Sequence, residues 1–154
     1  MRQGLEEMKR FAQSMYASVR DETFSMSCGF SDLVASCYGG RNRLVAMEWT
    51  QRQLRGEAAT FRDLEESMLK GQKLQGVLTC NEVADVLRER GISEQFPLFT
   101  TIHMIVNGEA RPEEILRYQE CGRRAARRWA EESLRKKLAE IAGDDNEANR
   151  VVPK

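Results

Sequence analysis

Apolar residues in this chain recur at three- and four-residue spacing, and no alternating apolar–polar run of strand length lies between well-defined turns. Leu5, Met8, Phe11, Ala12 and Met15 fall on one helical face. Val83, Val86 and Leu87 do the same further on, as do Leu98, Ile102, Ile105 and Val106. A strand would send every second side chain of such a pattern to the wrong face, so sheet formation is excluded. The expected fold class is all-α, a bundle-like set of helices without internal repeats. Its 154 residues suffice for one domain with a core of its own.

Capping and breaking residues mark the expected boundaries. Thr23 to Asp32 mixes short polar and small residues, predicting a turn before a short helix around Asp32, Leu33 and Val34. Leu44, Val45 and Met47 begin the next helix, with Trp49 on its flank and Gly56 to Ala59 ending it. Thr60 stands three before Asp63, a weaker relative of the capping box, ahead of the stripe Phe61, Leu64 and Met68. Thr79 and Glu82 form the full pattern and predict a helix start there. Gly91 supplies a left-handed stop, Pro97 suits a first turn, Asn107-Gly108 ends that helix, and Pro112 opens another. From Gln119 the character changes: arginines and lysines interleave with glutamates, and Trp129, Leu134, Leu138 and Ile141 leave a thin apolar edge. The expected organisation is a helical domain over 1–118 and a charged helical extension over 119–154. Gly143-Asp144-Asp145-Asn146 is expected to stop that helix and leave a disordered end.

Charge excludes some partners. The 24 basic and 24 acidic side chains cancel, so no global field selects nucleic acid or an anionic membrane. No apolar run approaches the ~20 residues that span a bilayer, and the acidic N-terminus has no apolar signal core. Cytoplasm is the expected compartment. Cys28, Cys37, Cys80 and Cys121 form no CxxC pair and have no histidine cluster nearby, which predicts free thiols and no metal. His103, the only histidine, lies between Ile102 and Met104 and reads as a core or helix-surface residue. The arginine-rich end reads as a solvated helix, since Trp129 is its only stacking aromatic.

The run Cys37-Tyr38-Gly39-Gly40-Arg41-Asn42 carries the chemistry. Glycines allow close backbone approach, an arginine offers a fork of donors suited to phosphate, and a helix start follows with its unpaired N–H groups. Asn42 adds an amide and could equally serve as an N-cap. Some thirty residues on, Gly71-Gln72-Lys73-Leu74-Gln75-Gly76 is a glycine-bracketed loop with one cation and two amides.

With Ser27-Cys28-Gly29-Phe30-Ser31-Asp32-Leu33 and Phe96-Pro97-Leu98-Phe99, these two runs give four ordered motifs between Gly4 and about Pro112. In them the chain resembles the C-terminal, substrate domain of the eukaryotic-type NAD-dependent glycerol-3-phosphate dehydrogenases. The resemblance implies hydride transfer between NAD and a phosphorylated three-carbon substrate. Arg41 and Asn42 would bind substrate. Arg41, Lys73 and Gln75 would contact NAD. Asp32 and Ser36 would support the catalytic centre, Ser36 standing where the family usually has threonine. The family's catalytic lysine lies just upstream of the first helix, and no glycine-rich dinucleotide fingerprint follows a strand here. The chain therefore looks like the substrate domain alone, with no turnover and no tight NAD binding expected by itself. A homodimer, or pairing through the helical face left exposed, is the expected association, and a non-catalytic pairing module is the alternative reading.

Overall fold

The computed structural model describes the backbone of residues 1–148 and the side chains as far as Ile141. Eight α-helices follow in order: α1 (Arg2–Met15), α2 (Asp21–Ser25), α3 (Asp32–Gly39), α4 (Arg41–Leu54), α5 (Phe61–Met68), α6 (Gln75–Glu89), α7 (Pro97–Val106) and α8 (Tyr118–Ala148). A π-helical turn over Ser27–Ser31 leads into α3, and 3₁₀ turns over Ser93–Gln95 and Pro112–Arg117 precede α7 and α8. No strand occurs among the described residues, as the periodicity requires.

Two apolar clusters hold the helices together. Val45 and Trp49 of α4 pack with Leu64, Leu69 and Leu74, and Phe61 stacks on Trp49 with ring centroids 4.9 Å apart. Ala84, Met104, Ala125 and Trp129 join α6, α7 and α8. At the α7–α8 crossing a Cβ on Gly122 would stand 2.1 Å from the Pro97 carbonyl, so only glycine lets these backbones meet. The expected division after residue 118 falls one residue into α8. However, Cys121, Ala125, Ala126 and Trp129 are buried, and it is Leu134, Leu138 and Ile141 that stand clear.

Several sequence expectations give way to tertiary packing. Trp49 lies in the core rather than on a flank, while Leu44 and Met47 are exposed. Glu7, not Met8, takes the inward position in α1. Its carboxylate accepts the N–H groups of Leu98 and Phe99, each at 3.0 Å, and so caps α7 from ninety residues away. In α5 Met68 is exposed and Leu69, just past the helix end, turns inward. In α7 the buried face is Pro97, Thr100, Thr101, His103 and Met104, with Ile102 outside. Thr60 and Asp63 make a complete capping box, each side chain bonded to the other's backbone. Thr79 caps nothing: α6 already begins at Gln75, because Glu65 accepts the Leu74 N–H at 2.7 Å and supplies the cap from α5. Two short helical segments replace the turn expected between Thr23 and Asp32. Gly143 does not stop α8, whose helix reaches Ala148; the expected disordered end lies partly outside the described residues.

Candidate functional site

The two glycine-containing runs, thirty residues apart in sequence, meet in space. Gly40 ends α3 and is the N-cap of α4; its N–H bonds to the Ser36 carbonyl at 2.9 Å. A Cβ there would lie 2.6 Å from that same carbonyl, so this glycine serves the turn between two helices rather than approach to a ligand. Gly39 has open space around it. Arg41 and Asn42 are therefore the first two residues of α4, and Asn42 is not its N-cap.

The Arg41 guanidinium donates to the Lys73 carbonyl at 3.3 Å. Asn42 presses on Gly76, where a Cβ would fall 2.6 Å from the Asn42 Oδ1. Gly76 is thus not a flexible loop end: it lies inside the first turn of α6 and makes room for Asn42. The reversal before Lys73 is made by Lys70 (φ 48°) and Gly71 (φ 87°), closed by the Gln72 N–H on the Leu69 carbonyl at 2.9 Å. Lys70 holds a left-handed conformation that disfavours any side chain, at about 1 kcal/mol.

Electrostatics make this corner receptive to anions. Neither α4 nor α6 is capped by its own N-cap side chain, and neither has an acidic residue in its first turn. The start of α4 is thus an unneutralised positive end, that of α6 is met at the Leu74 amide by the Glu65 carboxylate, and the Arg41–Lys73 and Asn42–Gly76 contacts bring the two together. Arg41, Asn42, Lys73 and Gln75 are all exposed. The Lys73 ammonium pairs with Glu65 at 3.0 Å. The same carboxylate binds the Leu74 amide, and these two contacts, the amide first, hold Glu65 below the usual carboxylate range. Asp32 and Ser36 lie one turn apart on α3, both exposed. Asp32 is at the far end of that helix from Arg41, about 12 Å along its axis. Among the described residues no hydrogen bond or ion pair joins Asp32 or the Ser36 hydroxyl to Arg41 or Asn42.

Glu65 is not singled out by sequence reasoning. Glu65 carried no local signal, being one acid among several on α5. Gly76 reads in the sequence only as one bracket of a loop, and the neighbouring helix reveals its purpose.

An all-helical domain in which two helix N-termini meet under exposed arginine, lysine and amide groups defines a class, that of helical domains with an anion-receptive corner. Comparison with known proteins narrows it. The profile described as NAD-dependent glycerol-3-phosphate dehydrogenase C-terminus matches residues 1–117, and the chain belongs to that family. The glycerol-3-phosphate dehydrogenase [NAD(+)] of Cuphea lanceolata is 50% identical over 120 residues, which cover 78% of this chain and 32% of that protein. The cytoplasmic glycerol-3-phosphate dehydrogenase [NAD(+)] of Drosophila virilis is 42% identical over 116 residues, covering 75% of this chain and 31% of its own length. The solved structure of DsGPDH of Dunaliella salina superposes with a TM-score of 0.75 at 55% identity, covering 77% of this chain and 20% of that one. This chain thus spans about a third of the length of the curated relatives it matches. No helix among the described residues is long and apolar enough to cross a membrane.

Proposed function

We propose that this chain is the substrate-side domain of an NAD-dependent oxidoreductase interconverting glycerol 3-phosphate and dihydroxyacetone phosphate, without turnover by itself. The observation that carries this reading is the convergence of the α4 and α6 N-termini through the Arg41–Lys73 and Asn42–Gly76 contacts. In it, the Arg41 guanidinium and the first amides of α4 hold the phosphate of the triose, and the Asn42 amide adds an orienting hydrogen bond. Lys73 and Gln75, with Arg41, hold the pyrophosphate of NAD; exposed cations and an amide beside the start of α4 suit such a dianion. NAD, when bound, supplies or accepts the hydride. Asp32 and Ser36 offer an acceptor and a hydroxyl on one face of α3, fit to orient groups at the reacting carbon. Cytoplasm is the compartment proposed, in line with the names of the Drosophila relatives, although a relative from Arabidopsis thaliana is named chloroplastic.

Calorimetric titration of the purified chain with glycerol 3-phosphate tests the phosphate role. Binding that Arg41→Ala weakens at least tenfold is expected; equal binding by both proteins would overturn it. An assay with NADH and dihydroxyacetone phosphate should show no turnover above background, and robust turnover would remove the claim of inactivity.

A second reading, pairing through an exposed helical face, draws support from Met26, Phe30, Tyr38, Leu44 and Met47, all exposed between the π-helical turn and α4. Sedimentation across a concentration series decides it, and a strictly monomeric species throughout would count against it.

A further inference from the structure

The corner where α4 and α6 meet contains one carboxylate that belongs to neither helix. Glu65 reaches from α5, its Oε1 accepting from the Lys73 ammonium at 3.0 Å and its Oε2 from the Leu74 N–H at 2.7 Å. Lys73 is exposed on its long flexible stem and free to swing, whereas the Glu65 side chain is mostly covered and anchored by the backbone bond. Of the two partners, the lysine is the one that can leave. A carboxylate 3.0 Å from the ammonium cancels most of the field that an incoming phosphate would feel. The backbone bond does a separate task, fixing the start of α6 and hence the position of Gln75.

We propose that Glu65 is a positioning residue with a second effect: it is the internal counter-ion of Lys73, and it sets how strongly the loop engages an anionic ligand. Glu65 keeps Lys73 folded back over α5 until the phosphates of the dinucleotide take the ammonium over. This rests on the proposed reading of the corner as a phosphate-binding site and deepens it by naming the group that competes with the ligand. It also explains why a capping carboxylate comes from a neighbouring helix: an acid in the first turn of α6 would stand permanently against the ligand, while Glu65 lies behind the loop.

The test uses the 154-residue chain and NADH as the probe, with binding followed by nicotinamide fluorescence and by NMR of the Lys73 side chain. Glu65→Gln retains an oxygen for the Leu74 amide and removes the charge. Exposed ion pairs of this kind have small worth, so NADH affinity should rise about two- to fivefold and fall more steeply with added salt. Lys73→Ala should lower affinity, and the double variant should bind as Lys73→Ala does, because the gain acts through the ammonium. Circular dichroism of each variant should match the parent. A wild-type affinity that Glu65→Gln leaves unchanged or weakens overturns the counter-ion role alone, as does a gain that persists without Lys73. Weak binding suffices for this comparison, so NADH is carried to millimolar concentration; no binding there by the wild type and Glu65→Gln alike counts against both this role and the reading beneath it.

Discussion

Single residues in this chain separate stability from ligand binding. Gly76 sits inside α6, where alanine would favour the helix by up to about 1 kcal/mol. Yet a methyl group there meets the Asn42 amide at 2.6 Å, and that exposed amide must swing away. Gly76→Ala should therefore leave the unfolding midpoint unchanged or slightly raised while weakening glycerol 3-phosphate binding several-fold. Urea titration and calorimetry check both halves. His103 makes a different trade. It is buried edge-on against Trp129 at 5.2 Å between centroids, its Nδ1 has no hydrogen-bond partner, and burial, then the Arg88 charge, lower its pKa from 6.5. The unfolded chain then binds the proton better than the folded one. Stability from this group is present above about pH 6.5 and is lost as the pH falls towards the folded value. Melting between pH 7.5 and 5.5 should show that loss, and His103→Leu should flatten the slope.

At the scale of elements, side chains from other helices fix the starts of α6 and α7, whereas α5 is started by its own. The Thr60–Asp63 box that opens α5 is local and was legible. The caps of α6 and α7 come from Glu65 and Glu7, and no reading of neighbouring residues finds them. Glu7 is fully buried beneath the first turn of α7, which also accounts for an acid on the inward face of α1. Glu7→Ala would leave two half-buried amides unpaired, a loss of about 2–4 kcal/mol. Glu7→Gln, which retains an acceptor, should lose less. Chemical denaturation of the three proteins should rank wild type, Glu7→Gln and Glu7→Ala in that order.

For the whole molecule, α8 decides how much of the chain is needed to fold. The family profile ends at residue 117, one before α8 begins, but the first three turns of α8 supply Cys121, Ala125, Ala126 and Trp129 to the core. Ending the chain after residue 133 removes Leu134, Leu138 and Ile141, which are exposed, and should leave the melting temperature within a degree or two of the parent's. Ending it after residue 120 uncovers Ala84 and Met104 and should abolish cooperative unfolding. Near- and far-ultraviolet dichroism on the two truncations distinguishes these outcomes.

Periodicity alone determined that this protein is helical, since a three-to-four spacing of apolar groups cannot line a sheet. The order of its motifs determined the family. Which charged side chains turn inward, and why Gly76 is a glycine, were decided only by tertiary structure. Glu7, Glu65 and Asn42 act on backbone segments 34 to 92 residues away or on neighbouring helices. A contact of that kind leaves no trace in local spacing, because it depends on how helices cross and not on which residues adjoin.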